Sequence, residues 1–264
     1  EADPTITHVG TIHHETTSGA LNPIDEIGKA IHAHNPELVY IVDSMSAFGA
    51  YPVDMEGSHI SYLVSSANKN IEGVPGFSFA LCRRSHLETT KGNARSLSMD
   101  LYDQWEKLDA TRQFRFTPPT HAMVAFNQAL VEHKAEGGWR GRLARYQHNF
   151  ETLRDGLAEM GFSLYLDDDI QGCVISTFLC PDDPAFDFQT MYDALSDRGL
   201  VIYPGKLTEA DSFRIGSIGR LFERDIKALL AAMRDVFTEM GVALPVKQLT
   251  IPPPEEGVIR KWEI

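Results

Sequence analysis

Lys69 stands in the polar turn "SSANKNIEGVPGF" (residues 65–77), between the apolar runs "HISYLV" and "SFALC". Upstream, "YIVDSMSAFGA" places Asp43 at the carboxyl end of another apolar run, 26 residues before the lysine. A lysine amine can condense with a carbonyl, and a carboxylate can hold a proton on a heteroaromatic nitrogen so that the ring withdraws electrons. Pyridoxal phosphate chemistry requires those two groups. Close opposite charges at an effective dielectric near 20 attract by roughly 4 kcal/mol, enough to keep a pyridinium protonated at neutral pH. Taken singly, each residue has an ordinary reading. Lys69 can be a solvated loop lysine, and Asp43 the cap of the turn that follows it. What favours chemistry is the pair, each member at the mouth of a strand, because ligands of open α/β sheets bind at the carboxyl ends of the parallel strands.

Arg214 lies inside the apolar run "SFRIGSI", where a guanidinium needs an anion. A structural aspartate can supply it, and a carboxylate or phosphonate ligand suits the planar fork of donors equally well. Gly216 and Gly219 in "RIGSIG" lack the full spacing of a dinucleotide-binding loop and are followed by "RLFERD", with no ribose-binding context. His13 and His14 are neighbours in a predicted strand, so their rings should point to opposite faces and cannot chelate one ion; no metal is expected.

The elements that must position these residues read as follows. "ITHVGTIHH" is a strand, and "NPIDEIGKAIHAHNP" a helix with Asn22 as N-cap, Pro23 at the first position and Ile24, Ile27 and Ile31 on one face. "ELVYIVD" is a second strand, completing a βαβ unit of a parallel sheet, and "ISYLVS" and "FSFALCR" add two strands around the Lys69 turn. "DLYDQWEKL" and "THAMVAFNQALVEHKAEGG" are helical, and Gly137 and Gly138 mark a stop. The next helix carries Leu143, Tyr146, Phe150, Leu153, Leu157 and Met160 on one face. Strands "FSLYL", "CVISTFL", "LVIYP" and "SFRIGSI" alternate with helices "FDFQTMYDALSDRG" and "ERDIKALLAAMRDVFTEMG", and "IPPPEEG" is an extended tail. A large domain over residues 1–137 and a smaller α+β domain over residues 138–264 are therefore expected.

Composition agrees with such a globule. The 264 residues are 43% hydrophobic and 23% charged, with a formal net charge of -13. That charge repels nucleic acid, and no basic stripe offsets it. No run approaches the ~18 apolar residues of a membrane span. Cys82, Cys173 and Cys180 show no CxxC spacing and read as free thiols of a reducing cytoplasm.

The blocks "HHETTSGALNP", "DSMSAFGA", "SSANKNIEGVPGF", "MDLYDQW", "RFTPPTH" and "IYPGKLTEADSFRIGSIG", in that order, resemble the 2-aminoethylphosphonate–pyruvate transaminases within the class V, fold type I aminotransferases. The resemblance runs from about residue 5 to residue 240. It implies a pyridoxal-phosphate homodimer with active sites at the subunit interface, acting on small-molecule amine and keto-acid substrates. By the same resemblance Lys69 attaches the cofactor, Asp43 pairs with its ring nitrogen, Thr16 in "HHETTSG" hydrogen-bonds its phenolic oxygen, and Asn68 lies near it. Thr117 in "RFTPPTH" would reach the phosphate of the neighbouring subunit's cofactor, or else simply enter the helix before Pro118. Arg214 would bind the substrate's anionic group. An alanine–glyoxylate or serine–pyruvate type aminotransferase shares the fold and the Asp/Lys pair, and a catalytically silent chain is the remaining alternative. The chain opens on "EADPTITHVG", and the family's N-terminal segment, with the loop and helix N-terminus that cradle the cofactor phosphate, is expected to be missing from it.

Overall fold

A computed structural model describes residues 3–207 and 211–250, so the "IPPPEEG" stretch and Thr208, Glu209 and Ala210 of the "IYPGKLTEADSFRIGSIG" block lie outside the described residues. The chain divides into two compact units. The first takes the chain up to Glu15, Ala20–Tyr146 and Ile218–Arg220; the second takes Thr16–Gly19, Gln147–Ser217 and the chain from Leu221 onward.

In the first unit, β1 (His8–Ile12), α1 (Ile24–His34), β2 (Val39–Asp43), β3 (Tyr62–Ser66) and β4 (Ser78–Cys82) form a sheet ordered β1-β2-β3-β4. The first three strands are parallel, with Ile12, Asp43 and Val64 in register, and β4 returns antiparallel to β3. Ile24, Tyr40, Val42, Ile60 and Leu63 make one cluster, with Ile27 and Ile31 of α1 packed against it. Asn22 is not the N-cap of α1. Its side chain donates to the Ile12 carbonyl at 2.7 Å and its N–H to the His13 carbonyl at 2.8 Å, so it ties the end of β1, and Pro23 occupies the cap. After β4 come the short α2 (Arg84–Leu87), α3 (Leu101–Thr111) and α4 (Thr120–Ala135). Asp100 caps α3 by accepting the Asp103 N–H at 3.0 Å, an interaction of about 1 kcal/mol.

α4 stops at Ala135, just before the glycine pair expected as a stop, while Gly138 itself opens α5 (Gly138–Glu159). The first unit nevertheless continues to Tyr146, because Arg142, Arg145 and Tyr146 bond into it. In the second unit β5 (Ile175–Leu179), α6 (Phe188–Asp197), β6 (Tyr203–Pro204), β7 (Ser212–Gly216) and α7 (Glu223–Met240) give an antiparallel sheet ordered β5-β7-β6 beside two helices. Phe150, Leu153, Leu157 and Met160 are buried as the helical spacing predicts, and Leu153, Leu157, Met160, Phe178, Phe213 and Phe237 belong to the same core.

Two predicted strands of this unit are cut short. "FSLYL" forms only an isolated bridge, Leu164 to Phe178, because the Ser163 N–H and hydroxyl turn to the Gln248 side chain at 2.8 and 2.9 Å. "LVIYP" pairs only through Tyr203 and Pro204, a proline placement that suits an edge. Among the described residues no helix is long and apolar enough to cross a membrane, and none of the three cysteines is in a disulfide.

Gly28 of α1 packs so closely on the loop before β3 that an added Cβ would lie 1.9 Å from the Ser58 carbonyl oxygen. Gly28→Ala should therefore destabilise the protein by roughly 1–3 kcal/mol, read as a lower urea midpoint at unchanged slope.

Candidate active site

Asp43 ends β2 as its one exposed residue, after two buried, one half-buried and one buried position. Its Oδ1 accepts the Met45 N–H at 2.9 Å, so the turn-capping reading holds for one carboxylate oxygen. Next to it the parallel strand β3 runs out into the turn carrying Lys69. That turn is closed by the Glu72 N–H on the Lys69 carbonyl at 2.8 Å and the Gly73 N–H on the Ala67 carbonyl at 2.9 Å. A Cβ at Gly73 would meet the Ala67 carbonyl at 2.7 Å, so the closure needs glycine. Lys69 is half-buried and its amine has no hydrogen-bond or ion-pair partner among the described residues, while Asn68 is exposed.

The two turns and the end of β1 are laced together. The Asn70 side chain, fully buried, donates to the Ser46 carbonyl at 3.0 Å. The Ser46 hydroxyl donates to the His14 carbonyl at 2.8 Å, and the His13 N–H to the Asp43 carbonyl at 2.8 Å. Gly49, at φ +92°, lets this lacing close, since a Cβ there would lie 2.5 Å from Ile71 Cδ1. Lys69 and Asp43 thus sit on neighbouring strand ends of one rigid frame.

β1 ends at Ile12, before the two histidines, so strand alternation does not apply to them. Both rings lie within about 6 Å of the Tyr51 ring rather than on opposite faces of a strand, at 5.9 and 6.0 Å. Burial pushes each imidazole down to about 4, so both are neutral at physiological pH. His13 Nδ1 shares a hydrogen bond with the Ser44 hydroxyl at 3.0 Å, whereas neither ring nitrogen of His14 bonds another residue.

These features fit a polar ring ligand at the strand ends. His14 Nδ1 and Nε2, Ser66 Oγ and Asn70 Oδ1 are buried polar atoms without a partner in another residue, all next to the carboxyl ends of β1 and β3. Native proteins leave few such atoms, and those they leave often mark a place where a bound group completes them. Asp43 offers a carboxylate for a ring nitrogen and Lys69 an uncommitted amine.

Thr117 is exposed in the segment before α4 and lines a cavity of 920 Å³ between β4 and α3, whose walls include neither Asp43 nor Lys69. In this chain that cavity does not join Thr117 to them.

In the second unit Arg214 is buried on β7, at 6% exposure. Its Nε donates to the Pro204 carbonyl at 3.0 Å and its Nη1 to the Thr16 carbonyl at 2.5 Å, and the guanidinium lies 5.7 Å from the Tyr203 ring. Among the described residues no carboxylate pairs with it, and burial pushes its pKa down. Thr16 belongs to a strap, Thr16–Gly19, held by the Gly172 N–H on the Gly19 carbonyl at 2.9 Å.

Sequence reasoning passed over Glu72, Asn70, Arg142 and Arg145, which brace the Lys69 turn. One signal was available: Arg142 precedes Tyr146 by four residues, on the buried stripe of α5.

A βαβ frame with a lysine turn and a strand-end aspartate, joined in the chain to a small α+β unit with a buried arginine, defines a type I aminotransferase fold. The chain belongs to the aminotransferase class-V family, whose model matches residues 2–206. It is 49% identical over 234 residues to proteins of Salmonella heidelberg and Salmonella typhimurium named 2-aminoethylphosphonate–pyruvate transaminase, covering 88% of this chain and 63% of each relative. The chain therefore spans 63% of the length of the curated relatives it matches. Among solved structures, pyridoxamine–pyruvate aminotransferase from Mesorhizobium loti superposes with a TM-score of 0.82 at 28% identity, over 92% of this chain and 62% of that one. Ureidoglycine–glyoxylate aminotransferase from Bacillus subtilis does so with a TM-score of 0.80 at 21% identity, over 90% and 62%.

His13 and His14 have consequences for stability. Their folded pKa values, about 4, lie below the ordinary value near 6.5, so between those pH values the unfolded chain binds more protons. Their contribution is complete above pH 6.5 and is lost as pH falls toward 4. His14→Phe should flatten the decline of unfolding free energy between pH 6.5 and 4 by about one proton, measured by urea titration at several pH values.

Proposed function

We propose that the protein is a pyridoxal-phosphate-dependent transaminase that moves the amino group of 2-aminoethylphosphonate to pyruvate, leaving phosphonoacetaldehyde and alanine. The observation that carries this reading is the half-buried Lys69, without a partner among the described residues, on a strand-end turn laced to Asp43. The substrate pair is supported by the relatives at 49% identity and their printed name.

Pyridoxal phosphate, when bound, supplies an aldehyde to take up an amine and a ring that withdraws electrons from the adjoining carbon. Lys69 holds it covalently in the resting protein. When not holding the cofactor, the Lys69 amine would serve as base and then as acid for the proton of the substrate carbon. The Asp43 carboxylate keeps the proton on the ring nitrogen through charge attraction. The Thr16 hydroxyl donates to the phenolic oxygen, and Asn68 supplies a further polar contact. Arg214 binds phosphonate in one half-reaction and carboxylate in the other, its fork matching the paired oxygens of both. In a homodimer Thr117 bonds the phosphate held by the neighbouring subunit. Cysteines outside any disulfide suit a reducing cytoplasm.

An amine-donor panel on the full protein, with alanine formation from pyruvate as readout, tests the substrate assignment. 2-Aminoethylphosphonate should lead, with ping-pong kinetics, whereas preference for alanine with glyoxylate, or serine with pyruvate, would move the protein to that neighbouring class. Borohydride reduction followed by peptide mapping should label Lys69, and Lys69→Ala should lose the yellow colour. Asp43→Asn should retain cofactor while losing most turnover. Arg214→Lys should raise KM for both aminoethylphosphonate and pyruvate roughly tenfold or more, since a point charge replaces a two-donor fork; a defect confined to one substrate would mean two anion sites.

A further inference from the structure

Glu72 follows Lys69 by three residues and adopts φ +62°, a left-handed conformation that favours glycine. Three groups converge on its Oε1: Arg145 Nη2 at 2.7 Å, the Tyr146 hydroxyl at 2.9 Å and Arg142 Nη1 at 3.2 Å. The Arg142 side chain is 2% exposed, donates through Nη1 to the Asn70 carbonyl, and pairs through Nη2 with Glu136 Oε2 at 2.8 Å. Arg145 Nε bonds Glu136 Oε1 at 2.7 Å. Two guanidiniums thus face two carboxylates, and the set is electrically balanced within the first unit.

The same cluster clasps Gly219, the last glycine of "RIGSIG". The Gly219 N–H donates to the Tyr146 hydroxyl at 3.0 Å, and Arg145 Nη1 donates to the Gly219 carbonyl at 2.7 Å. Of that glycine pair, Gly219 is the member the cluster holds.

The bonds bracket the lysine. Asn70, one residue on, is held at its carbonyl by Arg142 and at its side chain by the Ser46 carbonyl in the turn after Asp43. Glu72, two residues further, is held at its carboxylate. Lys69 itself bonds neither group, so its side chain is free while its backbone is fixed.

Resting on the proposed function, we infer that Glu72, Arg142, Arg145 and Tyr146 are positioning residues for Lys69: they fix the backbone of its turn and, through Asn70, its relation to Asp43. The cluster touches no substrate atom. Its effect is on how often the lysine amine meets the reacting carbon, where a displacement near 1 Å can cost up to about a hundredfold in rate.

The test uses the full protein and two near-isosteric variants, Tyr146→Phe and Glu72→Gln. Wild type is first reduced with borohydride and mapped, since labelling at Lys69 establishes the underlying reading. The rate at which apo-protein captures pyridoxal phosphate covalently is then followed by absorbance. Noncovalent affinity is measured separately by placing each variant in a Lys69→Ala background. We expect capture and kcat to fall on the order of tenfold in Glu72→Gln and less in Tyr146→Phe, with noncovalent affinity and amine KM within about twofold of the reference. If Lys69 is labelled yet both variants capture cofactor at the wild-type rate, the inference is wrong while the function stands, and a lowered melting temperature alone does not rescue it. If wild type labels elsewhere, both fall. Should Glu72→Gln fail to fold, Tyr146→Phe decides alone.

Discussion

Three parallel strands held in register, β1 and β2 ending level and β3 running two residues further, are the constraint on which the rest depends. With Ile12, Asp43 and Val64 in register, the chain must leave β1, β2 and β3 on one side of the sheet, and every loop there competes for the same small space. Backbone groups at strand ends have lost their ladder partners, and burial without replacements would cost each of them about 1–3 kcal/mol. The turns solve this by bonding one another: Ser44 N–H to the Val64 carbonyl at 2.9 Å, His13 N–H to the Asp43 carbonyl at 2.8 Å, Asn70 to Ser46. The lacing that satisfies the backbone also holds Asp43 and Lys69 in a fixed relation.

The cluster of Arg142, Arg145, Glu72 and Glu136 is costly in isolation. Taking four charges out of water costs several kcal/mol per ion, and a buried ion pair is poor evidence of stability. It persists because its members satisfy more than each other. Burial alone would lower the pKa of Arg145, yet the hydrogen bonds it donates to Glu136 and Glu72 raise it, so the guanidinium stays charged. The Tyr146 hydroxyl is pushed up by burial first and the nearby Glu72 charge second, so it remains a donor. What the cluster contributes is uniqueness of one turn, whose Glu72 adopts a conformation with φ +62°.

Much of this was legible in the sequence, for physical reasons. Lys69 and Asp43 stand out because strand ends are marked by a local change from apolar to polar and small residues, and the Leu153, Leu157 and Met160 stripe because helical periodicity is local too. What was not legible depended on distant partners. Glu72 meets Arg145 and Tyr146 across more than seventy residues, and nothing near "NKNIEGV" announces it. "FSLYL" has strand composition, but Gln248 takes the hydrogen bonds of Ser163 that a ladder would use. Asn22 has the composition of a cap, yet the end of β1 claims its side chain first. The histidine pair was misjudged because the expected strand ran two residues too far: β1 stops at Ile12.

Arg214 shows the opposite situation, a charge that the described residues leave unbalanced. Carbonyl oxygens of Pro204 and Thr16 and the face of Tyr203 orient the guanidinium, but they bring partial charges only, and desolvation presses the pKa down. A buried cation held by neutral acceptors is poised to gain from any anion that reaches it, since the cost of desolvating the arginine has been met on folding rather than on binding. Two of its donors are already committed to carbonyls, which fixes the plane of the fork and therefore the plane in which an anion must approach. Carboxylate and phosphonate both present oxygens at a spacing such a fork accepts. A site with this character would discriminate weakly between them, as the proposed function asks of it.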